Sequence, residues 1–247
     1  MKLLLILLIN ITSLMALITI TPVDIGEKPG FSTKGAVSLE TKKGNTEKSN
    51  YKGSVRLSYD DNLSYVTWAE FSGEYGETNT VKDTNNLYSH VRHIRKLEDY
   101  AFRTEYFAQL QSDEFKKIED RALGGAGLRY KLPEILKDSK AYIGVGGFYE
   151  YINYSSIDPY ENNIRVNTYF AYTIKLEAKT SLSYTLYYQP KIDDFYDYAC
   201  SNKAELKIHV YKKLFLSFNL YYDIDSRPAM GLKTDDYGQL TNFIFEF

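Results

Sequence analysis

The sequence predicts an all-β fold: a closed, up-and-down transmembrane β-barrel of about twelve antiparallel strands. Three observations predict it. From Phe31 onward, apolar and polar side chains alternate with period two, as in strands that bury one face. Away from the strand tips, one face of almost every such run carries no Lys, Arg, Asp or Glu. A charge facing the middle of a bilayer costs about 2–4 kcal/mol, so lipid clears a face completely. The connections between runs alternate short and long, the habit of outer-membrane barrels. A soluble barrel or sandwich with its cleared face turned inward is the competing architecture.

In chain order, residues 1–21 read "MKLLLILLINITSLMALITIT", with Lys2 ahead of hydrocarbon from Leu3 to Ile11. This is the pattern of a secretory signal peptide, with Ala16 as the cleavage point. An uncleaved anchor helix is the alternative, because apolar residues continue to Ile20. Residues 22–30 make a short periplasmic lead and 31–247 the barrel. The expected strands are 31–43, 47–59, 63–75, 86–97, 99–111, 121–132, 141–152, 164–177, 181–189, 198–210, 214–223 and 238–247. In "YKGSVRLSY", Tyr51, Gly53, Val55, Leu57 and Tyr59 share one face, and Lys52, Ser54, Arg56 and Ser58 the other. "IRVNTYFAYTIKLE", "TSLSYTLYY" and "NKAELKIHV" repeat the pattern.

The connections at 60–62, 98–99, 178–180 and 211–213 are tight, and 133–139 is intermediate. Those at 76–85, 112–120, 153–163, 190–197 and 224–237 are long. An even strand number and an exported N-terminus put both chain ends on the short, periplasmic side. The sequence has 24 tyrosines, and several sit near strand tips as expected of rings at two membrane–water boundaries: Tyr59, Tyr65, Tyr100 and Tyr130 on one rim, Tyr75, Tyr151, Tyr188, Tyr198 and Tyr222 on the other. The chain ends on Phe243, Phe245 and Phe247, an aromatic strip facing lipid. Outer-membrane proteins as a class commonly end in such a strand, which the barrel-assembly machinery reads, and this ending resembles that signal.

The run 86–97, "NLYSHVRHIRKL", breaks the rule. Either Arg92 points inward with His90, Ile94 and Lys96, leaving His93 and Arg95 outside with Arg95 snorkelling, or a bulge shifts the parity partway. The glycines of "RALGGAGLRYKL" and "IGVGGFYEY" lack both the Lys-Ser/Thr of a phosphate loop and a following helix. Gly124, Gly125, Gly127, Gly144, Gly146 and Gly147 instead fall on neighbouring strands, where they permit curvature and leave room for Tyr142 or Arg129.

Strand parity points one set of charges inward: Arg56, Glu70, Arg92, Arg103, Glu105, Arg121, Arg129, Glu150, Arg165, Lys203, Glu205 and Lys207, with Lys34, Glu40, Lys42, Lys52, Glu74, Lys131, Lys175 and Glu177. Thirteen are basic and seven acidic, so an open lumen would favour small anions. The same charges, paired across a confined interior, would instead plug it.

Other functions find little support. A net charge of −2 gives no field for nucleic acid. Cys200 has no partner for a disulfide and belongs to the apolar face. His90, His93 and His209 do not fall at an outer rim beside a serine, there is no G-x-S-x-G, and no run matches a calcium loop. The sequence therefore names no catalytic residue, cofactor or metal ligand.

"GNTEKSNYKGSVRLSY", "SHVRHIRKLEDYAFRTEYFAQLQSDEFKKIEDRALGGAGLRYKL" and "GVGGFYEY" together resemble the YdiY-like, salt-stress-induced outer-membrane proteins, a family of unknown function. The resemblance spans about residues 31–247. It implies an outer-membrane barrel and a link to osmotic stress, and brings no catalytic motif. The functional expectation is a passive one: a narrow, weakly anion-preferring pore or a structural barrel, in contact with outer-membrane lipid and lipopolysaccharide. A lipase- or protease-like barrel enzyme, or a surface-binding protein acting through its long loops, is the alternative.

Overall fold

The computed structural model describes residues 23–247 except 43–46, 99–100, 156–159 and 178. The signal segment 1–21, its cleavage at Ala16 and the rim position of Tyr100 lie outside the described residues. Twelve antiparallel strands close into one barrel: β1 (Gly30–Lys42), β2 (Lys48–Asp60), β3 (Tyr65–Thr78), β4 (Val81–Lys96), β5 (Phe102–Asp113), β6 (Ile118–Lys131), β7 (Ser139–Tyr154), β8 (Glu161–Glu177), β9 (Thr180–Pro190), β10 (Tyr198–Tyr211), β11 (Leu214–Asp225) and β12 (Asp235–Glu246). Each strand pairs with its chain neighbours, and β1 pairs with β12. All twelve expected strands are present.

Side-chain period fixes inside and outside. Tyr51, Val55 and Leu57 on β2, Phe71 on β3 and Leu110 on β5 are exposed on the outer wall, as are Phe243, Phe245 and Phe247. Phe31, Tyr59, Tyr65, His93 and Tyr106 form a chain of neighbouring rings around the outer wall, with centroids 4.7–6.4 Å apart. His93 is thus a member of this belt, donating to or accepting from Thr67 Oγ1 at 2.8 Å, and is not an interior histidine. The two readings of 86–97 are resolved: pairing with β3 is continuous from Tyr65↔Arg95 to Gly76↔Thr84, so Arg92 and His90 face inward and Arg95 outward.

Two connections expected to be long are short. β3 and β4 run on until Asn79 and Thr80 turn the chain with φ of 51° and 65°. Positive φ at both central residues matches the strand twist of a two-residue hairpin. Between β5 and β6 only a 3₁₀ turn, Glu114–Lys116, intervenes, capped by Asp113 accepting from Phe115 N and Lys116 N. The polar residues of 76–85, Asn, Thr and Asp among them, continue the two strands rather than forming a loop. The connections 43–47, 155–160, 191–197 and 226–234 keep the long-loop end distinct from the end carrying Gly30 and Glu246.

Candidate functional site

The barrel interior holds the chemistry, and it divides into two halves. On the β3–β9 side the inward positions are large. Trp68, Phe107, Tyr142, Phe148, Tyr169 and Tyr187 form a buried cluster with Val66, Ile94 and Leu123. Glycine makes room for these rings: a Cβ on Gly144 would lie 2.0 Å from the Tyr169 ring, and one on Gly125 would lie 2.6 Å from Phe107 and Phe148. Into this cluster are set Arg92, Glu105 and Arg129. Arg129 Nη1 stands 3.3 Å and Arg92 Nη1 3.8 Å from the Glu105 carboxylate, to which the Tyr169 hydroxyl donates at 2.8 Å. The Arg129 guanidinium lies 3.7 Å over the Tyr142 ring, and Arg92 5.2 Å from Phe107. One carboxylate between two guanidiniums leaves a positive charge that the aromatic faces stabilise.

Toward the long-loop end, Glu150 is fully buried between two arginines. Arg121 Nε donates to it at 2.7 Å and Arg165 Nε at 2.9 Å. Arg165 Nη2 continues to Asp197 at 2.8 Å, tying the 191–197 loop to the interior. Above this network lies a vestibule of about 330 Å³, roofed in part by Ala229 and Leu232 of the 226–234 loop. Lys117 Nζ, donating to Met230 O at 2.7 Å, and Arg227, paired with Asp194 at 2.7 Å, hold that loop in place.

The other half, β10–β12 with β1 and β2, is more polar, although Phe215 and Ile244 also face inward there. Ser201, Ser217 and Asn219 are buried among Lys34, Arg56, Lys203, Glu205 and Lys207. Arg56 donates through both Nε and Nη2 to one oxygen of Glu70, and Lys207 pairs with Glu246 at 2.6 Å. Lys34 and Lys203 act on Glu70 and Glu205 through space. These four cations face Glu70, Glu205 and Glu246, and at the mouth Lys28, Glu27 and Asp60 join them, making five cations and five carboxylates. A second vestibule of about 170 Å³ opens beneath them, at the end carrying Gly30 and Glu246.

That second mouth is crossed by a feature the sequence reading missed. Residues 23–28, expected only as a lead, fold back as a strap. Val23 and Ile25 pack against the aromatic cluster. Gly26 N donates to both Asp60 oxygens at 2.9 and 2.8 Å, Lys28 N to Asp60 at 3.3 Å, and Arg129 Nη2 to Val23 O at 2.8 Å. Asp24 sits among Lys131 at 2.6 Å, Arg103 at 3.6 Å and Lys140 at 3.9 Å. Burial alone would raise the Asp24 pKa; the Lys131 hydrogen bond and the charges of Lys131, Lys140 and Arg103 outweigh it and hold the carboxyl below its ordinary value. The available signal was the pair Val23 and Ile25 flanking an acid, two apolar residues where a solvated lead would be polar.

Of the twelve charges singled out from the sequence, Arg92, Glu105 and Arg129 form one group, Arg121, Glu150 and Arg165 a second, and Arg56, Glu70, Lys203, Glu205 and Lys207 a third, while Arg103 turns to Asp24 of the strap. His90 is interior and lies 6.2 Å from Tyr88, ring to ring, while His209 Nε2 donates to the turn at Lys212 O. Neither histidine touches a serine among the contacts described. Among the described residues no three His, Cys, Asp or Glu side chains gather as metal ligands.

The family described as "Protein of unknown function, DUF481" matches residues 35–247. The chain belongs to the DUF481 family. Its match covers the segments that carry the YdiY-like resemblance. No curated protein sequence matches the chain. Among solved structures, this DUF481 protein is similar to the COG4313 outer membrane channel from Pseudomonas putida F1, with 12% identity and a TM-score of 0.60 over 93% of this chain and 100% of that one. The NanC porin shares 15% identity over 88% of this chain and 98% of its own, with a TM-score of 0.48. The translocator domain of the autotransporter NalP from Neisseria meningitidis shares 8% identity over 90% and 89%, also at 0.48. At such identities the likeness shows the fold alone, that of outer-membrane barrels and channels.

Proposed function

We propose that this DUF481 protein is exported by its N-terminal signal and resides in the outer membrane. There it works as a narrow channel for small anions, shut in the state described here. The short turns and strap then face the periplasm, and the 226–234 loop the cell exterior. The outer strip Phe243, Phe245 and Phe247 would present the insertion signal to the assembly machinery, and the loops would meet lipopolysaccharide.

One observation carries the reading: the periplasmic mouth is covered by a strap held by hydrogen bonds and ion pairs, beside a polar half-lumen that holds Lys34, Arg56, Lys203 and Lys207. A barrel built only as a wall needs neither an unequal interior nor a tethered cover. Moving the strap exposes the 170 Å³ vestibule, where Lys34, Arg56 and Lys207 stand beside Glu205 and Glu246; charged side chains lining a narrow pore set which ions pass. A channel normally shut and opened under stress accords with the osmotic link that the family resemblance brings. The packed aromatic half favours the second reading, a structural barrel.

Planar-bilayer recording separates the two. The channel reading expects rare openings for the wild type, frequent ones when Val23 and Ile25 are replaced by Ser, and a reversal potential shifted toward anions. A silent membrane for both proteins, each verified as inserted, favours the structural barrel.

A further inference from the structure

The vestibule of about 330 Å³ at the long-loop end is acidic once its ion pairs are set aside. Arg121 and Arg165 share Glu150, Arg165 also reaches Asp197, and Arg227 pairs with Asp194. Three cations are thereby neutralised by three carboxylates. The rest of the charged wall is Lys116 and Lys233 against Asp83, Asp113, Glu161, Asp225 and Asp236, two cations facing five carboxylates. The volume lies in the range of small-molecule sites.

Asp113 marks a point of attachment. It ends β5 and is 2% exposed. Its Oδ1 accepts from Phe115 N at 3.2 Å and Lys116 N at 3.1 Å. Its Oδ2 is buried without a hydrogen-bond partner, on a residue of the vestibule wall. A buried carboxylate oxygen calls for a donor beside it. Lys116 shows which donor the wall accepts: it acts electrostatically on Asp113, Asp225 and Asp236 alike, an ammonium on an alkyl stem among three carboxylates.

The five carboxylates do not converge. They stand on β4, β5, β8, β11 and β12, with Ile118, Ile152 and Ala199 on strands between. Among the described residues no three gather as metal ligands, so a compact divalent ion is poorly matched. A chain of ammonium groups separated by methylenes matches both the spaced carboxylates and the apolar side chains between them.

We propose that this outer vestibule binds a linear polyamine, with one ammonium at Asp113 Oδ2 and the others on the carboxylates of β8, β11 and β12. The site lies at the mouth opposite the strap and does not depend on whether the barrel conducts.

Spermidine is the probe. It is titrated calorimetrically into the purified protein in zwitterionic detergent free of lipopolysaccharide, whose phosphates would compete. Expected is saturable binding at one site per chain, weakened about tenfold by Asp113→Asn. That variant removes the charge and keeps Oδ1 as an acceptor for Phe115 N and Lys116 N. Glu47→Gln makes the same change of charge at the same end of the barrel but outside the vestibule wall, and should leave the affinity unaltered. In the wild type, spermidine should slow hydrogen exchange in the 226–234 loop that covers the site, and magnesium at equal ionic strength should not. Heat-modifiable gel mobility verifies each fold. If Asp113→Asn does not fold, Asp225→Asn with Asp236→Asn replaces it, with at least the same expected loss. No saturable binding, an affinity indifferent to the vestibule substitutions, equal weakening by Glu47→Gln, or displacement by magnesium overturns the proposal. A failure of the channel reading leaves these outcomes untouched, since it is read as current and not as heat or exchange.

Discussion

Asp60→Ala is the sharpest perturbation of the strap. The carboxylate closes β2 and receives Gly26 N on both oxygens and Lys28 N on one, besides Asn62 N of its own turn at 2.9 Å. Hydrogen bonds to a charged partner contribute about 1.5–3 kcal/mol each, and the Lys28 contact, at 3.3 Å, is the weaker. Loss of the two strap contacts should then raise the free energy of the docked strap by about 3 kcal/mol, a factor of about 100 in its opening equilibrium. The apolar contacts of Val23 and Ile25 remain, so the barrel itself stays closed. Hydrogen exchange with mass spectrometry on the reconstituted protein reads this directly. Amides within 24–28 should exchange about 100-fold faster, while those of β2 and β3 keep their protection. Unchanged exchange in the strap would refute its attachment through Asp60. Loss of protection along β2 and β3 would show that Asp60 holds the wall and not the cover.

Two further outcomes follow from the interior charges. Replacing Glu150 by Ala leaves Arg121 and Arg165 buried without their shared carboxylate, a loss of about 3–5 kcal/mol. Denaturant unfolding followed by gel mobility should show it, and Glu150→Gln should recover part. Asp24 sets a pH dependence. Its folded pKa lies below the ordinary 3.8, so its contribution to strap docking is complete above that value and is lost as pH falls through the lowered one. Strap exchange should therefore rise on acidification below about pH 3.8. Asp24→Asn should remove most of that rise and loosen the strap at neutral pH; an identical acid response in wild type and variant contradicts the assignment.

Much of the fold was legible because a lipid boundary imposes a simple rule. Where one face must be free of charge, period two exposes both the strand and its outward residues, as in Val55 and Leu57 against Arg56. The inward positions of Arg121, Glu150 and Arg165 followed from the same parity. Their grouping did not, because which strands face each other across the lumen depends on the tilt and the closing register. The aromatic half was hidden for a related reason. Trp68, Phe107 and Tyr169 occupy the face that carries the charges, and alternation alone reads a ring there as an interruption. The lengths of β3 and β4 were missed because polar residues at the water-exposed end of a strand look like loop. The strap was missed because its contacts are tertiary, from Val23 to Arg129 and from Gly26 to Asp60.

The central claim is that hydrocarbon touches the chargeless wall and that the other face lines the interior. The chain has a single tryptophan, Trp68, which is 2% exposed and faces the lumen, while its neighbour Phe71 is 48% exposed on the outer wall. Fluorescence in vesicles of brominated phospholipid measures the difference. The account predicts that Trp68 escapes quenching and that Phe71→Trp, in a Trp68→Phe background, is strongly quenched. Quenching of Trp68 with a shielded Trp at position 71 would mean that the wall faces the other way.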